Sequence, residues 1–182
     1  MQTHELIAHS AHPPLAVRSV SAKIDVGDPY WVRLRWRIEG AGQIVVPRFA
    51  GKRRRDGLWR TTCFELFAKA APTETTAYSE FNFSPSEAFA AYDFSAYRED
   101  GKDRDIPRTP DIVWRGGSSF AIMDVAMPKR ALPGGTLSFG MTAVIEEDGG
   151  TKSYWALRHT AATPDFHDPA CFAATLAAPN RP

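Results

Sequence analysis

The sequence has no apolar run long enough to cross a membrane as a helix, which takes about 18 or more consecutive apolar residues. It has almost no net charge, since 22 lysines and arginines against 21 aspartates and glutamates leave +1. So balanced a chain has no global field to draw it to nucleic acid or to an anionic membrane, and neither is expected as a partner. The only cysteines, Cys63 and Cys171, are too few for a disulfide framework and read as small, reduced core residues, with one bridge between them as the alternative. The opening Met1-Gln2-Thr3-His4-Glu5 has neither the basic nor the apolar region of a secretory signal, which makes the cytoplasm the expected location. There is no internal repeat, no Cys-x-x-Cys-His haem attachment and no recognised metal-ligand spacing, so no cofactor is expected.

What is present is strand pattern. From Tyr30 to Glu39, Tyr30, Val32, Leu34, Trp36 and Ile38 alternate with Trp31, Arg33, Arg35, Arg37 and Glu39. That period of two predicts a strand with one buried and one polar face; helical spacing would scatter the arginines around a cylinder. Similar runs cover 15–25, 43–46, 59–68, 78–84, 89–94, 111–114, 119–127, 136–146, 153–157 and 172–176. Turn clusters separate them, among them Gly27-Asp28-Pro29, Gly40-Ala41-Gly42, Pro133-Gly134-Gly135 and Asp148-Gly149-Gly150. Many short strands between turns predict an all-β fold, a sandwich or a barrel. The 182 residues suffice for one domain, placed at 15–178, with a loose start over 1–14 and a tail over 179–182. The charged stretch 100–110 reads as a mobile loop.

Alternation also assigns faces. Phe64, Leu66, Phe81 and Phe83 should point inward, which leaves Glu65 beside Cys63 and Phe67, and groups Tyr78, Glu80, Asn82 and Ser84. Asp93 should face outward too. If these strands are neighbours, one face carries Glu65, Glu80, Asn82 and Asp93, with Arg33, Arg35 and Arg37 adding donors. Such a face suits a polyol, whose hydroxyls both donate and accept. Trp31, Trp59, Trp114 and Trp155 are the rings available to pack against a sugar. The same pattern is also the ordinary wet side of an antiparallel sheet, held by cross-strand ion pairs.

Two segments carry a family resemblance: Leu58-Trp59-Arg60-Thr61-Thr62-Cys63-Phe64-Glu65-Leu66-Phe67, then Tyr78-Ser79-Glu80-Phe81-Asn82-Phe83-Ser84-Pro85. With Val125-Ala126-Met127-Pro128 and Asp165-Phe166-His167-Asp168-Pro169, they make the chain resemble the DOMON-like ligand-binding domains, in particular the bacterial group related to family 9 carbohydrate-binding modules. The resemblance covers about Leu15 to Leu176 in the family's order. It implies an antiparallel, jelly-roll-like β-sandwich with a cleft for sugar or haem and no catalytic residues. By position it implies Trp59, Glu65, Asn82 and Trp155 as ligand contacts, and Glu80 joins them by sharing their face. The chain departs at Thr62-Cys63-Phe64, where many modules carry an acidic pair.

Other constellations are weaker. Glu65 and Glu80 as an acid and base would make a glycan hydrolase, which needs two carboxyls flanking the scissile bond. Cys63 with His159 is a conceivable nucleophile and base, but Cys63 lies in a strand with no nucleophile-elbow context. His159, Asp165, His167 and Asp168 are metal-ligand types without metal spacing, and His167-Asp168-Pro169 reads as a turn. Met123, Met127 and Met141 read as core rather than haem ligands, and Lys52-Arg53-Arg54-Arg55 as a solvated loop. The expectation is a non-catalytic domain binding a small carbohydrate. The alternatives are that hydrolase, or a protein-interaction module using a sheet edge or the arginine row.

Overall fold

The computed structural model describes residues 2–178. Its strands are β1 (Gln2–Ala8), β2 (Ser19–Asp25), β3 (Trp31–Glu39), β4 (Cys63–Ala70), β5 (Tyr78–Phe83) and β6 (Phe89–Phe94). They continue with β7 (Lys102–Asp103), β8 (Asp111–Arg115), β9 (Phe120–Pro128), β10 (Leu137–Glu147), β11 (Thr151–Ala156) and β12 (Ala174–Leu176). Their pairs are antiparallel, in the order β7-β6-β5-β4-β10-β11-β1-β2-β3-β9-β8, with β12 added against β10. The ladder folds over at β1, whose Gln2–Leu6 pair with β2 while Ile7 and Ala8 pair with β11. Two sheets result, and their inner faces meet: the Trp36 ring lies 5.5 Å from Phe64 and 6.5 Å from Phe83. The chain is all-β, as the alternation predicts, and an antiparallel sandwich, as the resemblance implies.

The N-terminal segment corrects the expectation of a loose start. Prolines and histidines at 9–14 obscure a strand just before them, in which Leu6 enters the core while Thr3 and Glu5 stay exposed. The following loop is pinned by Glu147, whose carboxylate accepts the backbone N–H groups of Leu15, Ala16 and Val17 at 2.8, 2.7 and 3.0 Å. The expected tail over 179–182 lies outside the described residues. Strand boundaries also differ: the strand expected over 15–25 begins at Ser19, and the last one at Ala174. Residues 43–46 give only a bridge from Ile44 to Glu147, and Trp59 belongs to a 3-10 turn, Leu58–Arg60, entered through Gly57 at φ 71°.

On β3, Val32, Leu34, Trp36 and Ile38 are buried, and the arginines between them face solvent. Arg35 pairs with Asp124 at 2.6 Å, Arg37 with Glu39 at 2.7 Å, and Arg33 reaches Asp28 at 3.8 Å. These exposed pairs contribute little each. They lie on the outer face of the first sheet, so the arginines do not share a face with Glu65 and Glu80.

The second sheet is different, because β5 and most of β4 are buried on both faces. A sheet buried on both sides has a third layer, here the segment between β11 and β12. That segment crosses β10 so closely that a Cβ at Gly140 would sit 2.8 Å from the Cys171 carbonyl oxygen. A second apolar cluster, with Phe67 stacked on Phe172 at 5.8 Å, fixes it there.

Candidate functional site

With Phe64, Leu66 and Ala68 turned to the core, β4 presents Cys63, Glu65 and Phe67 on its other face. Register then sets their neighbours. Glu65 stands between Thr142 of β10 and Asn82 of β5, while Glu80 stands between Phe67 and Tyr92 of β6. Glu65 and Glu80 are thus diagonal neighbours on adjacent strands, a relation that side chains of this length can span. Both lie in the floor of a cleft of about 610 Å³. Trp59 rises from its turn as one wall, edge-on to Tyr92 with ring centroids 6.4 Å apart, and is 43% exposed. Phe67, Phe94, Tyr154 and Phe166 complete the aromatic lining, which Arg98 and His167 join.

Polar contacts hold the floor. Glu65 Oε2 accepts the Thr142 hydroxyl at 3.0 Å, and Glu80 Oε1 accepts the Asn82 amide at 2.7 Å. The Arg98 backbone N–H donates to the Tyr78 hydroxyl at 3.2 Å, which in turn lies 2.7 Å from His167 Nδ1. Taking the Tyr78 proton as donated to Nδ1 puts the imidazole proton on Nε2, 3.7 Å from Glu80 Oε2. Asp165 braces this side, accepting the Tyr97 hydroxyl at 2.6 Å and Arg98 Nη2 at 2.9 Å.

Titration follows from burial. Glu65 is pushed well above the usual carboxylate range by loss of water and then by the charge of Glu80, with the Thr142 bond opposing. Glu80 is raised by loss of water too, with the Asn82 bond and Arg98 opposing. His167 is pushed down to about 4, first by burial and then by Arg98. It is therefore neutral at neutral pH, and its contact with Glu80 is not an ion pair. The floor thus shares protons rather than carrying two full charges.

Of the residues singled out from sequence, Trp59, Glu65 and Glu80 line the cleft. Asn82 is buried beneath it as a support for Glu80. Trp155 is a correction: it is 4% exposed, packs in the core, and donates Nε1–H to Ser153 Oγ at 2.9 Å. Its partner across the ladder is Ala143, an inward position, so the cleft-facing residue of β11 is its neighbour Tyr154. Asp93 is another correction. It turns away from Tyr92 and Phe94 to accept the Ser79 hydroxyl and the Arg104 guanidinium, both at 2.7 Å. Sequence reasoning missed Tyr92, Tyr154, Phe166 and Arg98. The first two follow from alternation once Phe94 and Trp155 are placed, whereas the last two sit in loops with no periodicity.

Glu65 and Glu80 are brought together, on one face of the sheet in the floor of the cleft. The other constellations are drawn apart or absorbed into the fold. Cys63 is sealed in the interior, and His159 Nε2 bonds the Ile7 carbonyl at 2.9 Å. Asp168 caps the Pro169–Cys171 turn by accepting the Ala170 N–H at 2.9 Å, and among the described residues no metal-ligating group of three converges. Met123, Met127 and Met141 are core. In the basic run, Lys52 pairs with Asp111 at 2.7 Å, and Arg54 donates to the Ala91 carbonyl at 2.8 Å. The stretch 100–110 contains the short β7, and Arg104 within it donates to the Ala131 carbonyl at 2.7 Å.

No protein-family model and no curated protein matches this sequence. Solved structures do resemble it. A Bacteroides uniformis protein proposed to bind carbohydrate is 18% identical with a TM-score of 0.66, over 97% of this chain and 85% of that one. A family 9 carbohydrate-binding module from Caldicellulosiruptor kristjanssonii, in complex with cellotriose, is 9% identical with a TM-score of 0.58, over 94% and 79%. One from the same organism in complex with glucose is 8% identical with a TM-score of 0.53, over 96% and 83%. At such identities the likeness is one of architecture, and the chain has the antiparallel β-sandwich fold that family 9 carbohydrate-binding modules share.

Proposed function

We propose that this chain is a non-catalytic domain that binds a small carbohydrate in the cleft over β4, β5 and β10. The observation that carries the reading is the cleft itself, with paired carboxyls in the floor and Trp59, Tyr92, Tyr154 and Phe166 around them. Carboxyl groups accept and, when protonated, donate to sugar hydroxyls, and the rings cover the C–H faces of a pyranose. The fold shared with modules solved with glucose and cellotriose supports the same ligand class. Kinship with the wider DOMON-like domains belongs to this reading.

Each hydrogen bond to a sugar replaces one to water and contributes about 0.5–1.5 kcal/mol net. A single sugar should therefore bind in roughly the micromolar-to-millimolar range. Calorimetry or tryptophan fluorescence against hexoses, amino sugars and nucleotide sugars tests it. Saturable binding of at least one sugar without release of product is expected. Failure of every sugar at high millimolar concentration would reject the reading, and product release would return the carboxyl pair to the hydrolase alternative.

A further inference from the structure

The cleft is acidic although the chain is not. Asp56, Glu65, Glu80 and Asp103 line it against one guanidinium, that of Arg98, in a chain of net charge +1. Arg98 is committed to Asp165 at 2.9 Å. At the rim, Asp56 accepts the Tyr92 hydroxyl at 2.6 Å, and Asp103 lies 3.4 Å from Arg54. Among the described residues no cation makes an ion-pair contact with the floor carboxyls, although the Arg98 charge reaches Glu80. Glu65 and Glu80 are 2% and 5% exposed, yet their contacts are the neutral groups Thr142, Asn82 and His167. Glu65 Oε1 accepts no hydrogen bond from any described residue. Buried carboxyls are ordinarily matched by a cation or a full set of donors. Here the open position beside them is the cleft.

We infer that the ligand, within the carbohydrate reading on which this rests, is a sugar carrying a free protonated amine, whose ammonium group sits on Glu65 and Glu80. An ammonium offers three donors, and Glu65 Oε1 and Glu80 Oε2 are acceptors without a protein hydrogen bond. A neutral sugar would satisfy the hydroxyl chemistry but leave the pair holding its protons, with no cation to release them. Proton traffic supports the assignment: in the empty cleft, burial keeps the pair partly protonated, so an arriving ammonium displaces protons near neutral pH. Beside the pair, Cys63, Tyr78 and Tyr92 are raised by burial, Arg98 stays charged, and His167 is already neutral.

The test is calorimetry with glucosamine, N-acetylglucosamine and glucose, below the pKa of the glucosamine amine, in buffers of differing ionisation enthalpy. Wild type should bind glucosamine at least about tenfold more tightly than either neutral sugar, with proton release. Glu65→Gln and Glu80→Gln should erase the preference, and Trp59→Ala should weaken all three sugars together. Circular dichroism establishes that each variant is folded, and the wild-type comparison alone decides if one is not. Equal affinity for the three sugars overturns the amine assignment and leaves the carbohydrate reading standing. Binding of cyclohexylamine but of no sugar overturns the carbohydrate reading and with it the amino-sugar assignment. Displacement of glucosamine by calcium chloride at constant ionic strength overturns the assignment in favour of a metal ion.

Discussion

Replacing Trp59 and Trp155 by alanine, one at a time, separates a ligand-facing tryptophan from a structural one. Trp59 is 43% exposed on a 3-10 turn, so its loss leaves the two sheets as they are and should change stability by no more than about 1 kcal/mol. A sugar stacked on that indole removes on the order of 60–100 Å² of apolar surface from water, or roughly 1.5–2.5 kcal/mol. Trp59→Ala should therefore weaken sugar binding on the order of tenfold or more. Trp155 is 4% exposed within the core, where a large-to-small change costs about 3–5 kcal/mol. In a domain of this size that lowers Tm by on the order of 10 °C. Differential scanning fluorimetry gives the first quantity and calorimetry with the best-binding sugar the second. The assignment fails if Trp155→Ala loses affinity with an unchanged Tm, or if Trp59→Ala binds as wild type does.

Removing the Glu147 side chain, as in Glu147→Ala, takes the acceptor from the N–H groups of Leu15, Ala16 and Val17, of which the last is buried, and should cost about 1–3 kcal/mol in urea unfolding; no measurable loss would mean that water replaces the carboxylate. Because burial raises Glu65 and Glu80 from 4.5, their stabilising contribution is full below that value and is lost as pH rises through neutral. His167, lowered from 6.5, acts in the opposite sense on the acid side but is common to wild type and variant. Wild type should thus lose on the order of a few kcal/mol relative to Glu65→Gln/Glu80→Gln between about pH 5 and 8.5; parallel pH profiles would refute the burial argument. Both cysteines are free and buried, and burial raises each thiol, so a thiol reagent should react slowly with the native protein and with both cysteines in denaturant. Fast native labelling would contradict it.

The sandwich was legible because a period of two survives wherever one face is packed, as at Val32 to Ile38 and at Phe64 with Leu66. The pairing of Glu65 with Asn82 and the proximity of Glu80 followed from the same period once β4 and β5 adjoined. What periodicity does not carry was missed. It cannot say which face of β11 meets the core, and Trp155, taken over by position from the family resemblance, turns inward while Tyr154 faces the cleft. It gives no sheet membership, so the β3 arginines were grouped with carboxyls that lie on the other sheet. The third layer, with Phe166 and His167, comes from an irregular segment whose position depends on close approach at Gly140.

The central claim is that the cleft beside Trp59 is where a sugar binds. A ¹H–¹⁵N spectrum of the tryptophan indoles, titrated with glucose and then with glucosamine, reads it directly. The Trp59 Nε1–H resonance should shift saturably with added sugar, while those of Trp36 and Trp155, both sealed in the core, stay in place. Saturable shifts confined to other resonances, or a Trp59 signal unmoved at high millimolar concentrations of both sugars, would contradict it.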